Sequence, residues 1–206
     1  MIALLWMSVM TAAQTRTSGA QPKLEDSVKK LAQWTVNDEK ASYHLRAEGP
    51  MPVALWGMVF AELDATPGFA RATFTNTDKR ASEAKARRGE EGYDLAKALA
   101  LMVAPSLGVI LDCGAAAAHT AGVEQLGGRD TEKYDFDTVG LPQGQQPSTR
   151  AECNVDQVGA KILSVRGTAW IERSTGRLIK LDATMKFAEE GKPVAESHPK
   201  FEVIPK

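Results

Sequence analysis

The chain has 206 residues, enough for one domain that buries its own core. An apolar share of 43% and a charged share of 25% are ordinary for a soluble globular protein. A formal net charge of -1 leaves no basic excess to neutralise phosphates, so nucleic acid is not an expected partner.

The first ten residues are apolar almost throughout, with Ile2, Leu4, Leu5, Trp6 and Val9. Crossing a bilayer takes about 20 such residues, so this run is too short to span one. It has the length of a signal-peptide core, and Ala12, Ala13, Ser18, Gly19 and Ala20 follow it. Residues 1–22 are therefore expected to be a signal or leader segment and 23–206 a single domain. No Lys or Arg precedes the run, so an N-terminal strand or helix buried in the domain is the alternative. No cysteine stands near it to carry a lipid anchor. The expected product is exported, periplasmic or in the cell envelope, soluble after signal removal and not an integral membrane protein.

Leu24, Val28, Leu31 and Ala32 recur at helical spacing and predict a short amphipathic helix ending near Trp34. From Ala41 the period changes: Tyr43 and Leu45 alternate with His44 and Arg46, which predicts a strand that Gly49-Pro50 ends. Residues 53–63 form a strand or buried segment. Pro67-Gly68 then turns the chain into a run in which Phe69, Arg71, Thr73 and Thr75 alternate with Ala70, Ala72, Phe74 and Asn76, completing an antiparallel pair. The mixed charges of 78–91 read as a solvated loop, because interspersed signs cancel any long-range field.

Leu95, Leu99, Met102 and Val103 belong to a helix that is apolar almost all round, so it must be buried or face an apolar partner. Pro105 is expected to end it. Leu107, Val109, Ile110 and Leu111 continue as a second short helix or a strand. Gly127-Gly128 turns the chain into a strand over 131–137, with Glu132, Tyr134 and Phe136 on one face. Residues 140–148 form a polar loop without core residues. The strongest pattern is the last: Ile179, Leu181, Ala183, Met185 and Phe187 alternate with Lys180, Asp182, Thr184 and Lys186. That is a half-buried strand, and Ser174-Thr175-Gly176 makes it the return arm of a hairpin begun at Thr168. Phe201, Val203 and Ile204 suggest a final strand. This order of elements predicts an α+β architecture in which an antiparallel sheet is covered by an apolar helix.

Cys113 and Cys153 could pair in an oxidising compartment, closing a loop of about 40 residues, or could be two unrelated buried thiols. They lack the C-x-x-C spacing of a zinc ribbon or a thioredoxin-type site. His44, His119 and His198 stand alone in the sequence, with no i, i+4 pair and Glu to hold zinc. No nucleophile elbow, P-loop or dinucleotide fingerprint occurs. Asp135 and Asp137 could be paired carboxylates, but alternation makes them the solvent face of a strand. No catalytic residue, cofactor or metal is expected, and the chain is not read as an enzyme.

Four stretches carry a resemblance. They are Ala104-Pro105-Ser106-Leu107 after the apolar helix, the run from Val123 through Gly127-Gly128 to Thr131, Glu132-Lys133-Tyr134-Asp135-Phe136, and the hairpin from Gly167 through Trp170 and Thr175-Gly176 to Leu181. Over roughly 41–187 the chain resembles the outer-membrane lipoprotein-sorting (LolA-like) superfamily, which includes mycobacterial lipid-binding lipoproteins. The resemblance implies a curved antiparallel sheet, an incomplete barrel, closed by helices, with acyl chains or lipoproteins bound in an apolar hollow between them. It would set Leu95, Leu99, Met102 and Val103 from the helix, with Trp170, Ile179, Leu181 and Met185 from the hairpin, as the wall of that hollow. A plain core helix would use the same residues. The function implied is an exported carrier or binding protein for a lipid or lipidated polypeptide, with an envelope protein as the partner that receives cargo. The alternative is an envelope interaction or scaffold module with a filled core and no ligand.

Overall fold

The computed structural model describes residues 43–48, 58–66, 68–76, 81–87, 90, 103–150, 153–155 and 160–205. The leader expected at 1–22, the helix at 24–34 and positions 95–102 of the apolar helix lie outside these residues. The strands are β1 (Tyr43–Glu48), β2 (Met58–Thr66), β3 (Phe69–Asn76), β4 (Ala81–Arg87), β5 (Ala118–Leu126), β6 (Arg129–Asp137), β7 (Asn154–Val155), β8 (Ala160–Glu172), β9 (Leu178–Glu189), β10 (Ala195–Ser197) and β11 (Lys200–Pro205). Helix α1 spans Val103–Ala115. No helix among the described residues is long and apolar enough to cross a membrane.

All strand pairs are antiparallel, in the order β4-β3-β2-β1-β11-β9-β8-β6-β5, with β10 on β9 and β7 on β8. The pairing of β1 with β11, from Tyr43↔Pro205 to Glu48↔Lys200, joins the N-terminal strands to the C-terminal ones. β4 and β5 end the order at opposite edges, so the sheet is not closed into a barrel. The α+β reading, an antiparallel sheet with a helix against it, is what is observed.

Period-two alternation gives the sheet an apolar and a polar face. In β9, Ile179, Leu181, Ala183 and Met185 are buried, while Asp182 and Lys186, on the alternate positions, are exposed. The register carries this division sideways: Leu181 pairs with Ala169, which pairs with Tyr134, and Ala183 pairs with Gly167, which pairs with Phe136. Helix α1 lies over the apolar side of β6 and β8 with Leu107, Ile110, Leu111 and Cys113 fully buried. Burying a side chain of this size contributes about 1.5–3 kcal/mol, so this layer is the main core of the C-terminal half.

Three local expectations are corrected. Pro105 does not end a helix; it sits in the first turn of α1, where its missing N–H had no partner to lose. Leu107 to Leu111 are thereby helical. The charged stretch read as a loop contains β4, because Glu83, Lys85 and Arg87 alternate with Ala84 and Ala86 in register with β3. The segment 140–148 is not free of core residues: it forms two short 3-10 turns, and Pro147 is buried.

Cys113 at the end of α1 and Cys153 are joined in a disulfide with a Cα–Cα distance of 5.6 Å. Both are fully buried. The bond ties the helix to the segment that leads into β7 and so holds α1 on the sheet.

Candidate functional site

The apolar face differs in texture between its halves. Under α1 it is built of large side chains, with Phe136, Ile162, Ile171, Leu178, Leu181 and Met185 at 2% exposure or less. On β2 and β3 it carries small ones. Among the described side chains of β1–β3, Ala47, Ala65, Ala70, Ala72 and Leu63 are buried. Register sets Ala65 opposite Ala70 and Leu63 opposite Ala72, so these residues form a continuous floor. β4 pairs alongside, with Ala86 in register with Ala70 and Ala84 with Ala72. Between the halves, Phe201 and Val203 of β11 are buried.

Of the residues expected to wall a hollow, Ile179, Leu181 and Met185 come together on this face. Val103 is the first residue of α1. Leu95, Leu99 and Met102 lie outside the described residues. Trp170 is not brought together with Ile179, Leu181 and Met185. It pairs with Lys180 and Lys133, whose positions alternate away from the apolar face, while its neighbours Ala169 and Ile171 take that face. Its indole Nε1 donates to Glu124 Oε2 at 3.1 Å. The ammonium groups of Lys180 and Lys133 lie 5.0 and 5.7 Å from the ring centre. The ring is thus held on the solvent side by cation–π contacts and one hydrogen bond.

That outer face is polar and mixed in sign. A shallow trough of about 500 Å³ runs along β6, β8 and β9, lined by Asp135, Arg166, Thr168, Trp170 and Thr184 among others. The Thr168 hydroxyl donates to Asp135 Oδ1 at 2.6 Å. Asp135 is thus on the polar face and Asp137 is exposed, as alternation predicts. A second trough of about 320 Å³ lies between Arg46, Glu48, Lys180, Asp182, Lys200 and Glu202. Acid and base alternate in both.

Two polar clusters were not evident in the sequence. His44, isolated in the chain, is bracketed by two carboxylates of β2, with Nδ1 at 2.8 Å from Asp64 Oδ1 and Nε2 at 3.0 Å from Glu62 Oε1. The signal was the i, i+2 acid pair Glu62 and Asp64, but only the register His44↔Asp64 makes it meaningful. Among the described residues no group of three or more His, Cys, Asp or Glu is placed to hold a metal ion.

The second cluster caps the hairpin end of the sheet. Glu132 and Glu172 are buried at 2% and 7% exposure. Arg129 Nη1 donates to Glu172 Oε1 at 3.1 Å, the Thr175 hydroxyl donates to Glu172 Oε2, and Arg173 Nε lies 3.6 Å from Glu132 Oε2. Burial, followed by the neighbouring Glu132 carboxylate, pushes the Tyr134 hydroxyl above its usual range. Each buried carboxylate has a cationic partner, which is the condition for keeping charge out of water.

No protein-family model and no curated protein matches the chain. Solved structures similar to it include two mycobacterial lipoproteins. The lipoprotein LppX of Mycobacterium tuberculosis shares 13% identity and a TM-score of 0.43, over 87% of this chain and 92% of that one. LprF of Mycobacterium bovis shares 12% identity and a TM-score of 0.39, over 89% of this chain and 93% of that one.

Proposed function

We propose that the protein is an exported carrier or binding protein that holds the acyl chains of a lipid or a lipidated polypeptide against the apolar face of its sheet. The observation that supports this most is the alanine patch of β2 and β3. Methyl groups take less depth in front of a sheet than leucine or phenylalanine would, and Ala65 opposes Ala70 with Ala72 two residues on along β3; each is 3% exposed or less, so a guest would displace what covers them. An acyl chain laid there gains about 25 cal/mol per Å² of apolar surface removed from water, with no polar group to satisfy. The LolA-like resemblance of the sequence points to the same kind of ligand. On this reading Ile179, Leu181 and Met185 flank the floor, and Trp170, on the other face, does not touch the ligand.

A second reading, a scaffold or interaction module with a filled core, is favoured by the dense layer under α1, where the large side chains leave no allowance for a guest. Organic extraction of the purified protein followed by mass spectrometry separates the two. The carrier reading expects near-stoichiometric acyl-chain lipid in the extract, or its uptake from added vesicles. Absence of both supports the filled module.

A further inference from the structure

The two edges of the sheet are protected unequally. β4 presents exposed Glu83, Lys85 and Arg87, with Glu83 drawn to Arg71 at 3.1 Å. Charges of this kind are a common guard against edge-to-edge pairing. β5 carries fewer charges: from Ala118 to Leu126 none of its residues is buried, Val123 is 57% exposed, and its charged or titratable side chains are His119 and Glu124. Among the described residues it pairs with β6 alone.

The register of β5 on β6 is interrupted by a bulge between Thr120 and Gly122, with Gly122 at a φ of 131°. One extra residue reverses the phase of alternation along the strand. Pairing with β6 then puts His119, opposite Asp135, and Glu124, opposite Thr131, on the polar face. Thr120, opposite Tyr134, and Val123, opposite Glu132, share the other face. A regular strand could not place residues five apart on one side.

We infer that β5 pairs antiparallel with β5 of a second copy of this chain, about a two-fold axis between Ala121 and Gly122, extending the sheet across the dimer. In that register His119 stands opposite the second copy's Glu124, Thr120 opposite its Val123 and Ala118 opposite its Gln125. Each pair matches in face, because each chain crosses one bulge. The imidazole meets a carboxylate twice, once in each direction, and the β-branched pair covers Val123. Centring the pairing on Glu124 instead would set two carboxylates together. An edge-only contact is small, so the dimer is weak and concentration-dependent.

Sedimentation velocity of the full chain over a range of concentrations tests this. Wild type is expected to pass from monomer to dimer as concentration rises. His119→Glu, which sets like charges opposite each other twice, raises the dissociation constant about tenfold, and the exchange His119→Glu with Glu124→Lys restores it. Circular dichroism and the melting temperature establish that each variant is folded. A wild type that stays monomeric at the highest soluble concentration overturns the inference, and so does a dimer whose affinity is unchanged by His119→Glu.

Discussion

Gly114, in the last turn of α1, lies directly against the ring of Phe136 on β6: a Cβ built on it would stand 2.7 Å from Phe136 Cδ2. Helix and sheet meet there without an intervening side chain, and the ring, 2% exposed, has nowhere open to move. Gly114→Ala gains about 1 kcal/mol of helix propensity but overpacks the contact at a cost of about 1–3 kcal/mol. A net loss of about 1 kcal/mol in urea unfolding is expected. Adding Phe136→Leu to Gly114→Ala should cost less than Phe136→Leu does alone, because the contact that Gly114→Ala strains is gone.

The Cys113–Cys153 bond closes 40 residues of sequence. Constraining the unfolded chain over a loop of that length is worth about 4 kcal/mol in the chain-entropy treatment. Cys113→Ala with Cys153→Ala is expected to lower Tm by about 10 °C in a domain of this size. Since both cysteines are held in the disulfide, alkylation without reductant should label neither even in denaturant, and labelling of both should follow reduction in denaturant.

Glu172 is the carboxylate on which the β8–β9 turn is organised. It accepts from Arg129 and Thr175, its carbonyl accepts from Gly176 N at 2.7 Å, and its N–H donates to Arg177 O at 2.8 Å. Glu172→Ala leaves Arg129 without this partner in a largely buried setting and should cost about 3 kcal/mol. Arg129→Met with Glu172→Leu, which removes both charges, should cost less than Glu172→Ala alone. Denaturant titration of the three variants checks the order.

Tyr134 gives a pH dependence of known sign. Its folded-state pKa is raised by burial and by Glu132, so the folded protein holds the phenolic proton more tightly than the unfolded chain does. The resulting stability is fully present below the unfolded value of about 10 and is lost as pH rises through the higher folded value. Urea midpoints measured on the alkaline side should fall more steeply for wild type than for Tyr134→Phe. Equal slopes would remove Tyr134 as a contributor.

The parts of the fold that were legible in the sequence are those where large apolar residues alternate with charged ones. β9 is the clearest, since Leu181 and Met185 alternate with Asp182 and Lys186 and admit only one phase. β4 was hidden because alanines, which carry little hydrophobic signal, alternate with its charges, and because interspersed charges are also the pattern of a solvated run. Proline both opens and ends helices, so at Pro105 only the backbone tells which. Trp170 is the instructive case at the candidate site. The size of its ring argues for burial, yet Ala169 and Ile171 hold the inner positions, and the two lysines that receive it come from strands 37 and 10 residues away. The bracketing of His44 and the self-complementary edge of β5 depend on register across strands, which a single sequence does not display.

The alanine floor is tested most directly by measuring acyl-chain binding to Ala72→Leu beside wild type, with Trp170→Ala as the outer-face control. If the floor faces a guest, the leucine is accommodated at less than about 1 kcal/mol but displaces the ligand, so binding weakens while Trp170→Ala binds as wild type does. If wild type takes up no acyl chain and Ala72→Leu is instead overpacked by about 1–3 kcal/mol, the space in front of Ala72 is already filled by the protein itself, and the carrier account is contradicted.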